Sequence, residues 1–276
     1  MKEKCAICFR GKCKDTNLNC KSNKLEVIDY KKCIKSIFEN IINHNKNYDF
    51  DLYLHGWIQD EKDKETILND YKPKKFILEK QKDFTKDYIT IKNYEEILKE
   101  RYKHLHNKNV NYSNIHFQDY FQNIFSYAYS ISKVVELIEE SIDYKFIIHV
   151  RYDVLINSKI NLNLLNKELI YTDDVKNSHS PLFYGDFIYI SNKKNILFFK
   201  NFYDFLKTNI FNNLQYKNWV KTIINKKLPN STGRYEHGIY SNQMIYAYFI
   251  SYNFILYNNV IPNISCLLKK MSWNYK

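Results

Sequence analysis

Cations, an aromatic ring and carboxylates follow directly on strand-like runs in this chain. Arg10 and Gly11 come after Glu3 to Phe9. His55, Gly56 and Trp57 come after Phe50 to Leu54, Glu79 closes the run from Lys74, and Arg151 and Asp153 follow Tyr144 to Val150. In an open α/β sheet, ligands bind beyond the carboxyl ends of the strands, so these are the positions where chemistry is expected. A guanidinium fork suits phosphate oxygens, a ring suits a base, and a carboxylate can bridge a divalent ion to phosphate; together they would suit a nucleoside diphosphate. Each residue also has a plain structural reading. Arg10 can be a solvated turn cation, Trp57 a core residue and Asp153 a cap.

The elements that would position these residues are read from hydrophobic periodicity. Leu25, Ile28, Ile34, Ile37, Phe38 and Ile41 recur at helical spacing between the first two strands, and Pro73 introduces the third. A long helix is expected from about Ile115 to Glu140, with Phe117, Phe121, Ile124, Phe125, Ala128, Ile131, Val135 and Ile138 on one face. The unbroken apolar run at Tyr144 to Val150 reads as a central strand covered on both sides. Further strands are expected at Leu169 to Tyr171 and Asp186 to Ile190, separated by the acidic turn Thr172-Asp173-Asp174. Helices are expected over Lys193 to Leu206, over Asn212 to Ile224, and from Glu236 or His237. This succession predicts an α/β fold, a mostly parallel sheet with short right-handed crossovers.

Composition bounds the function. The 276 residues are 45% hydrophobic and 17% aromatic, with nine Gly and Pro together, which excludes a disordered or collagen-like chain and allows one large core. The net charge of +12 would attract a polyanion, but only four of the 42 cations are arginines and the lysines are scattered, so nucleic acid is not the expected partner. Met1 to Arg10 holds no apolar stretch of signal-peptide length. Polar residues interrupt Met244 to Ile261, which therefore reads as a buried helix followed by a strand rather than a membrane span. These features point to a cytoplasmic protein.

Cys5, Cys8, Cys13 and Cys20 crowd into sixteen residues, and the two-residue gap between Cys5 and Cys8 could aim two thiolates at zinc. Residues three apart in a strand face opposite sides of its sheet, however, so the favoured reading is small buried hydrophobes.

Five runs taken in order resemble one family: Ala6 to Gly11, Phe50 to Trp57, Pro73 to Glu79, Tyr129 to Lys133 within a helix, and Phe146 to Asp153. Over roughly Cys5 to Ile190 the chain looks like the GT-A-type glycosyltransferases of large DNA viruses and bacterial surface-glycan loci. The resemblance implies a single GT-A-like domain over 1–276, with a nucleotide-sugar-binding half to about residue 155 and an acceptor-side half beyond it. It implies sugar transfer from a UDP-, GDP- or dTDP-linked donor to a glycan or protein-linked acceptor. Donor binding would fall to Arg10, Gly11, His55, Gly56, Trp57, Lys133, Arg151 and Asp153. Asp153 would stand where such enzymes keep the Mn2+- or Mg2+-binding acid of their Asp-x-Asp signature, but the first position of that triplet is Arg151. Asp186 and Glu236 are the expected catalytic carboxylates, with Asp173 and Asp174 in reserve. Two other readings stay open. A sugar-nucleotide nucleotidyltransferase would call for a Gly-rich loop after the first strand, where only Gly11 stands, and a non-catalytic basic binding module would draw on the net charge and the Lys269-Lys270 tail.

Overall fold

The computed structural model describes residues 2–13, 30–88, 117–174, 184–211, 213–227, 242–253, 257–261 and 264–266. Strand β1 (Glu3–Lys12) is buried from Cys5 through Arg10, as a strand covered on both faces must be. Parallel to it run β2 (Tyr48–Ile58) and β4 (Tyr144–Arg151) on its two sides, and β3 (Lys75–Lys80) lies outside β2. The sheet continues through β6 (Ile170–Asp174), β7 (Tyr184–Ser191) and β8 (Tyr257–Ile261) in the seven-strand order β3-β2-β1-β4-β7-β6-β8. Strand β7 pairs antiparallel with both neighbours, and the remaining pairings are parallel. The expected α/β class, a mostly parallel sheet flanked by helices, is present. Winding runs outward from β1 to β3 and then returns to β4 on the other side, so the switch point lies between β1 and β4.

Side chains alternate across each strand, and the two faces form two cores. One contains Ala6, Cys8, Tyr53 and Ile147 and is roofed by α4 (Phe117–Glu136), against which the single turn α3 (Thr85–Tyr88) packs through Tyr88 on Phe121. The expected apolar stripe supplies that contact: Phe121, Ile124, Phe125, Ala128, Ile131, Val135 and Ile138 are all buried. The opposite core contains Cys5, Ile7, Phe9, Leu54, Ile148 and Val150, covered by α1 (Tyr30–Ile37) and α2 (Glu61–Tyr71). Cys5 and Cys8 thus lie in different cores, as strand alternation requires, and burial pushes the Cys5 thiol up to about 12. Cys20 lies outside the described residues. Among the described residues no helix is long and apolar enough to cross a membrane.

Several boundaries differ from the sequence reading. Strand β1 extends to Lys12 and β2 to Ile58, because the parallel ladder continues through Gly11 opposite Gly56 and Lys12 opposite Trp57. Arg10, Gly11, His55, Gly56 and Trp57 therefore lie inside the carboxyl ends of their strands rather than in the turns beyond them. The region after β7 divides into α5 (Lys193–Leu197), a 3-10 turn, α6 (Phe202–Asn209) and α7 (Leu214–Lys227), and a further helix, α8 (Asn242–Tyr252), follows; the expected helix start at Glu236 or His237 lies outside the described residues. Helix α1 ends in a π turn over Phe38–Ile42, which the apolar spacing did not signal.

That turn matters for the sheet end, because it holds the chain leaving β4. After Asp153 comes β5 (Val154–Ile156), paired with β9 (Ile264–Cys266) in a separate ribbon. The Ile156 amide donates to Ser36 Oγ at 3.0 Å, and Asn40 Nδ2 donates to the Ile156 carbonyl at 2.7 Å. Buried Asn45 donates to the Ile41 and Ile160 carbonyls and accepts from the Leu162 amide. Truncating it strands buried backbone groups. Asn45→Ala is expected to lower stability by about 1–3 kcal/mol, read as a fall in Tm of roughly 2–4 °C per kcal/mol.

Candidate functional site

The carboxyl ends of β1, β2 and β4 form one rim. Arg10 is the strand neighbour of His55 on one side and of Arg151 on the other. Main-chain bonds close the rim, with the Tyr152 amide donating to the Arg10 carbonyl at 3.2 Å and the Cys13 amide to the Trp57 carbonyl at 3.4 Å. Gly11 sits at φ +101°, a left-handed conformation that glycine adopts without strain. Gly56 is required for a different reason. A Cβ there would lie 2.3 Å from Cys13 Sγ and 2.9 Å from Leu78 Cδ2.

At the β4 end, Arg151 and Asp153 are locked together. Nε and Nη2 of Arg151 donate to the two carboxylate oxygens at 2.8 and 2.5 Å, the bidentate geometry of the strongest charged hydrogen bonds. The carboxylate is the sheltered partner, 5% exposed against 22% for the arginine side chain, and the guanidinium lies 5.1 Å from the Phe187 ring centre. Arg10 is buried with its guanidinium 4.5 Å over the Tyr127 ring, where cation and quadrupole attract. Tyr127 OH in turn shares a 2.8 Å hydrogen bond with Tyr189 OH.

At the β2 end a relay of side chains links three elements. His55 Nε2 is 3.2 Å from Glu79 Oε1 and Nδ1 is 2.7 Å from Ser130 Oγ, while the Gly11 amide donates to the same Oγ at 3.1 Å. An ionised Glu79 only accepts, which assigns the ring proton to Nε2 and leaves Nδ1 to accept from the Ser130 hydroxyl. The hydrogen bond from His55 holds Glu79 below the usual carboxylate range. Trp57 is buried, stacked on Tyr129 at 5.7 Å and meeting His55 and Phe84 edge-on. Its faces are taken by protein, so it forms the floor of the rim and is not open to stack on a base. Lys133 extends from α4 with its ammonium 2.5 Å from Glu136 and 5.6 Å from the Tyr129 ring centre, and its charge reaches His55.

The other expected residues lie at varied distances from this rim. Two residues ahead of Ile188, the partner of Val150, the β7 backbone carries Asp186 to the rim side of the sheet. Asp174 ends β6, and Glu236 lies outside the described residues. Asp173 is buried and accepts from the Phe187 and Ile188 amides at 3.0 and 3.2 Å, so its carboxylate braces β7 at a register shift rather than facing a substrate. A divalent ion was expected on Asp153. Both oxygens of that carboxylate accept from Arg151, and among the described residues no three His, Cys, Asp or Glu side chains converge. Ser130 and Tyr127 escaped the sequence reading as site residues. Their signal is slight: small or polar residues set into the apolar side of a helix.

Buried His149 stacks on Tyr189 at 5.7 Å, and its Nε2 has no hydrogen-bond partner among the described residues. Burial, then the charge of Arg10, holds it well below its ordinary value of 6.5, and burial likewise lowers His55 against the pull of Glu79. Both rings are neutral in the fold and must charge on unfolding in acid. Their folded pKa values lie below the unfolded ones, so the stability they contribute is full above about 6.5 and is lost as pH falls from there through the folded values. Chemical denaturation between pH 7.5 and 5 should therefore show a steady decline, and His149→Phe should make that decline shallower.

No protein family and no curated protein matches the sequence. Among solved structures the chain aligns with the apo form of the glycosyltransferase GlyE of Streptococcus pneumoniae at a TM-score of 0.37 and 8% identity, over 94% of this chain and 45% of that one. It aligns with the apo form of mouse xyloside xylosyltransferase 1 at a TM-score of 0.39 and 10% identity, over 94% of this chain and 84% of that one. The chain thus spans less than half the length of the GlyE chain. At such scores the likeness is loose, and the chemistry has to be read from the rim's own residues.

Proposed function

We propose that the chain is a nucleotide-sugar-dependent glycosyltransferase whose donor binds across the carboxyl ends of β1 and β4. One observation carries the reading: Arg10 and Arg151 are strand neighbours at the switch point of a mostly parallel sheet, where ligands of such sheets bind. Lys12, exposed at the end of β1, adds to the positive charge there. Paired cations held by protein contacts suit the diphosphate of an activated sugar, and they suit it better as charge grows on the departing phosphate.

In the reaction an acceptor hydroxyl attacks the anomeric carbon, the bond from that carbon to the phosphate oxygen breaks, and its electron pair leaves with the nucleoside diphosphate. Arg151, oriented by Asp153 and by the Phe187 ring, meets that charge. Arg10 sets the field of the rim from beneath. The proton of the acceptor hydroxyl goes to a carboxylate. We assign this role to Asp186, which β7 brings to the rim side, or to Glu236. The His55–Ser130 relay acts on position, tying the Gly11 amide and so the end of β1 to α4.

The test is donor hydrolysis or transfer with a panel of UDP-, GDP- and dTDP-linked sugars, with and without Mn2+. Arg151→Ala is expected to lower kcat/KM by roughly 100- to 1000-fold while the fold is kept. Absence of turnover and of thermal stabilisation with every donor would overturn the assignment.

A further inference from the structure

We propose that nucleotide binding at this rim is independent of divalent metal, the diphosphate being held by the Arg151 guanidinium, with the buried charge of Arg10 beneath it, in place of an ion. This deepens, and rests on, the reading of the rim as a nucleoside-diphosphate site.

The first support is the clasp. Arg151 and Asp153 occupy positions one and three of the triplet, and the arginine fork binds both carboxylate oxygens at 2.8 and 2.5 Å. A hard cation needs about six oxygen donors, and this carboxylate has both oxygens already engaged. The second is charge. Two carboxylates with a divalent ion sum to zero, and Arg151 with Asp153 already sums to zero without an ion. A metal ion entering here would face two guanidinium groups carried by adjacent strands, whose spacing is about 4.8 Å. The third is orientation. Asp153 is the sheltered member of the pair and Arg151 the more exposed one, so the group presented outward is the one that attracts an anion. The field of Arg10 reaches the buried His149, which places that charge in the interior beneath the rim.

Arg151 thus serves as a phosphate ligand, and Asp153 is a positioning residue that fixes the fork. A guanidinium cannot lose its proton at working pH and brings its hydrogen-bond donors in a fixed plane, so it supplies both charge and geometry without a coordination shell.

The test is titration calorimetry of the full chain with UDP, GDP and dTDP, first in EDTA and then with manganese or magnesium chloride. At least one nucleotide should bind in EDTA, with either ion changing its Kd by less than about tenfold. A nucleotide that binds only with metal, or about tenfold or more tightly with it, overturns metal independence and leaves the donor-site reading standing. Failure of all three to bind under both conditions overturns both. Arg151→Asp gives the converse experiment. It should weaken nucleotide binding in EDTA by at least about tenfold and recover part of the loss with manganese chloride. A folded variant, checked by its thermal transition, that binds in EDTA as tightly as the parent would also overturn the proposal.

Discussion

A sheet covered on both faces leaves only its ends for polar chemistry, and the rest of this structure obeys that constraint. Strand β1 has six consecutive buried residues from Cys5 to Arg10, and β4 runs buried from Phe146 to Val150. Parallel strands bring their carboxyl ends to one side, so the polar residues that close β1, β2 and β4 must meet there. Arg10, His55 and Arg151 are adjacent because the hydrogen-bond register makes them so. No loop conformation is needed to bring them together.

Charges gathered at the end of a hydrophobic sheet must be matched, since an unpaired buried ion is expensive. The three matches found here differ in kind. Arg10 lies over an aromatic face, Arg151 has a carboxylate in bidentate geometry, and Glu79 receives a neutral imidazole that is itself anchored by a serine. These arrangements fix the directions of the side chains before any ligand is present. A site prepared in this way loses little conformational entropy on binding, which is the advantage of preorganised charge in transfer chemistry.

How much of this could be read in the sequence depends on the range of the signal. The strands and the stripe on α4 were legible because burial repeats with a fixed period, and the order of polar residues after apolar runs pointed to the sheet end. Strands β1 and β2 run three and four residues past their expected carboxyl ends, because Gly11 and Gly56 look like turn residues locally. Gly56 stands in its strand because the side chains of Cys13, Leu78 and Tyr152 leave no space for a Cβ, and Gly11 because its backbone turns to φ +101°. The relay of Glu79, His55 and Ser130 spans separations of 24 and 75 residues, and nothing local announces a hydrogen bond at that range. Trp57 illustrates the opposite error. A tryptophan at a strand end looks available to a base, yet Tyr129, one turn before Lys133 on α4, already covers it.

The triplet Arg151-Tyr152-Asp153 shows how local pattern and distant packing combine. Arg151 ends β4, and in the turn that follows Asp153 comes back to the side of Arg151 while Tyr152 goes to the other. Tyr152 is buried in the opposite core, 5.8 Å from Phe9 in a stacked arrangement and 5.5 Å from Tyr71 edge-on, and its amide is bonded to Arg10. The tyrosine thus pins the backbone at the point where the sheet ends and the rim begins. With the middle residue fixed, the two flanking side chains have no option but to emerge together, which brings arginine and aspartate within reach of a bidentate bond. A pair of carboxylates in the same two positions would emerge just as close and would repel unless a cation lay between them. Here the arginine supplies the positive charge covalently, so the same backbone geometry that could gather a metal ion instead holds a guanidinium in place.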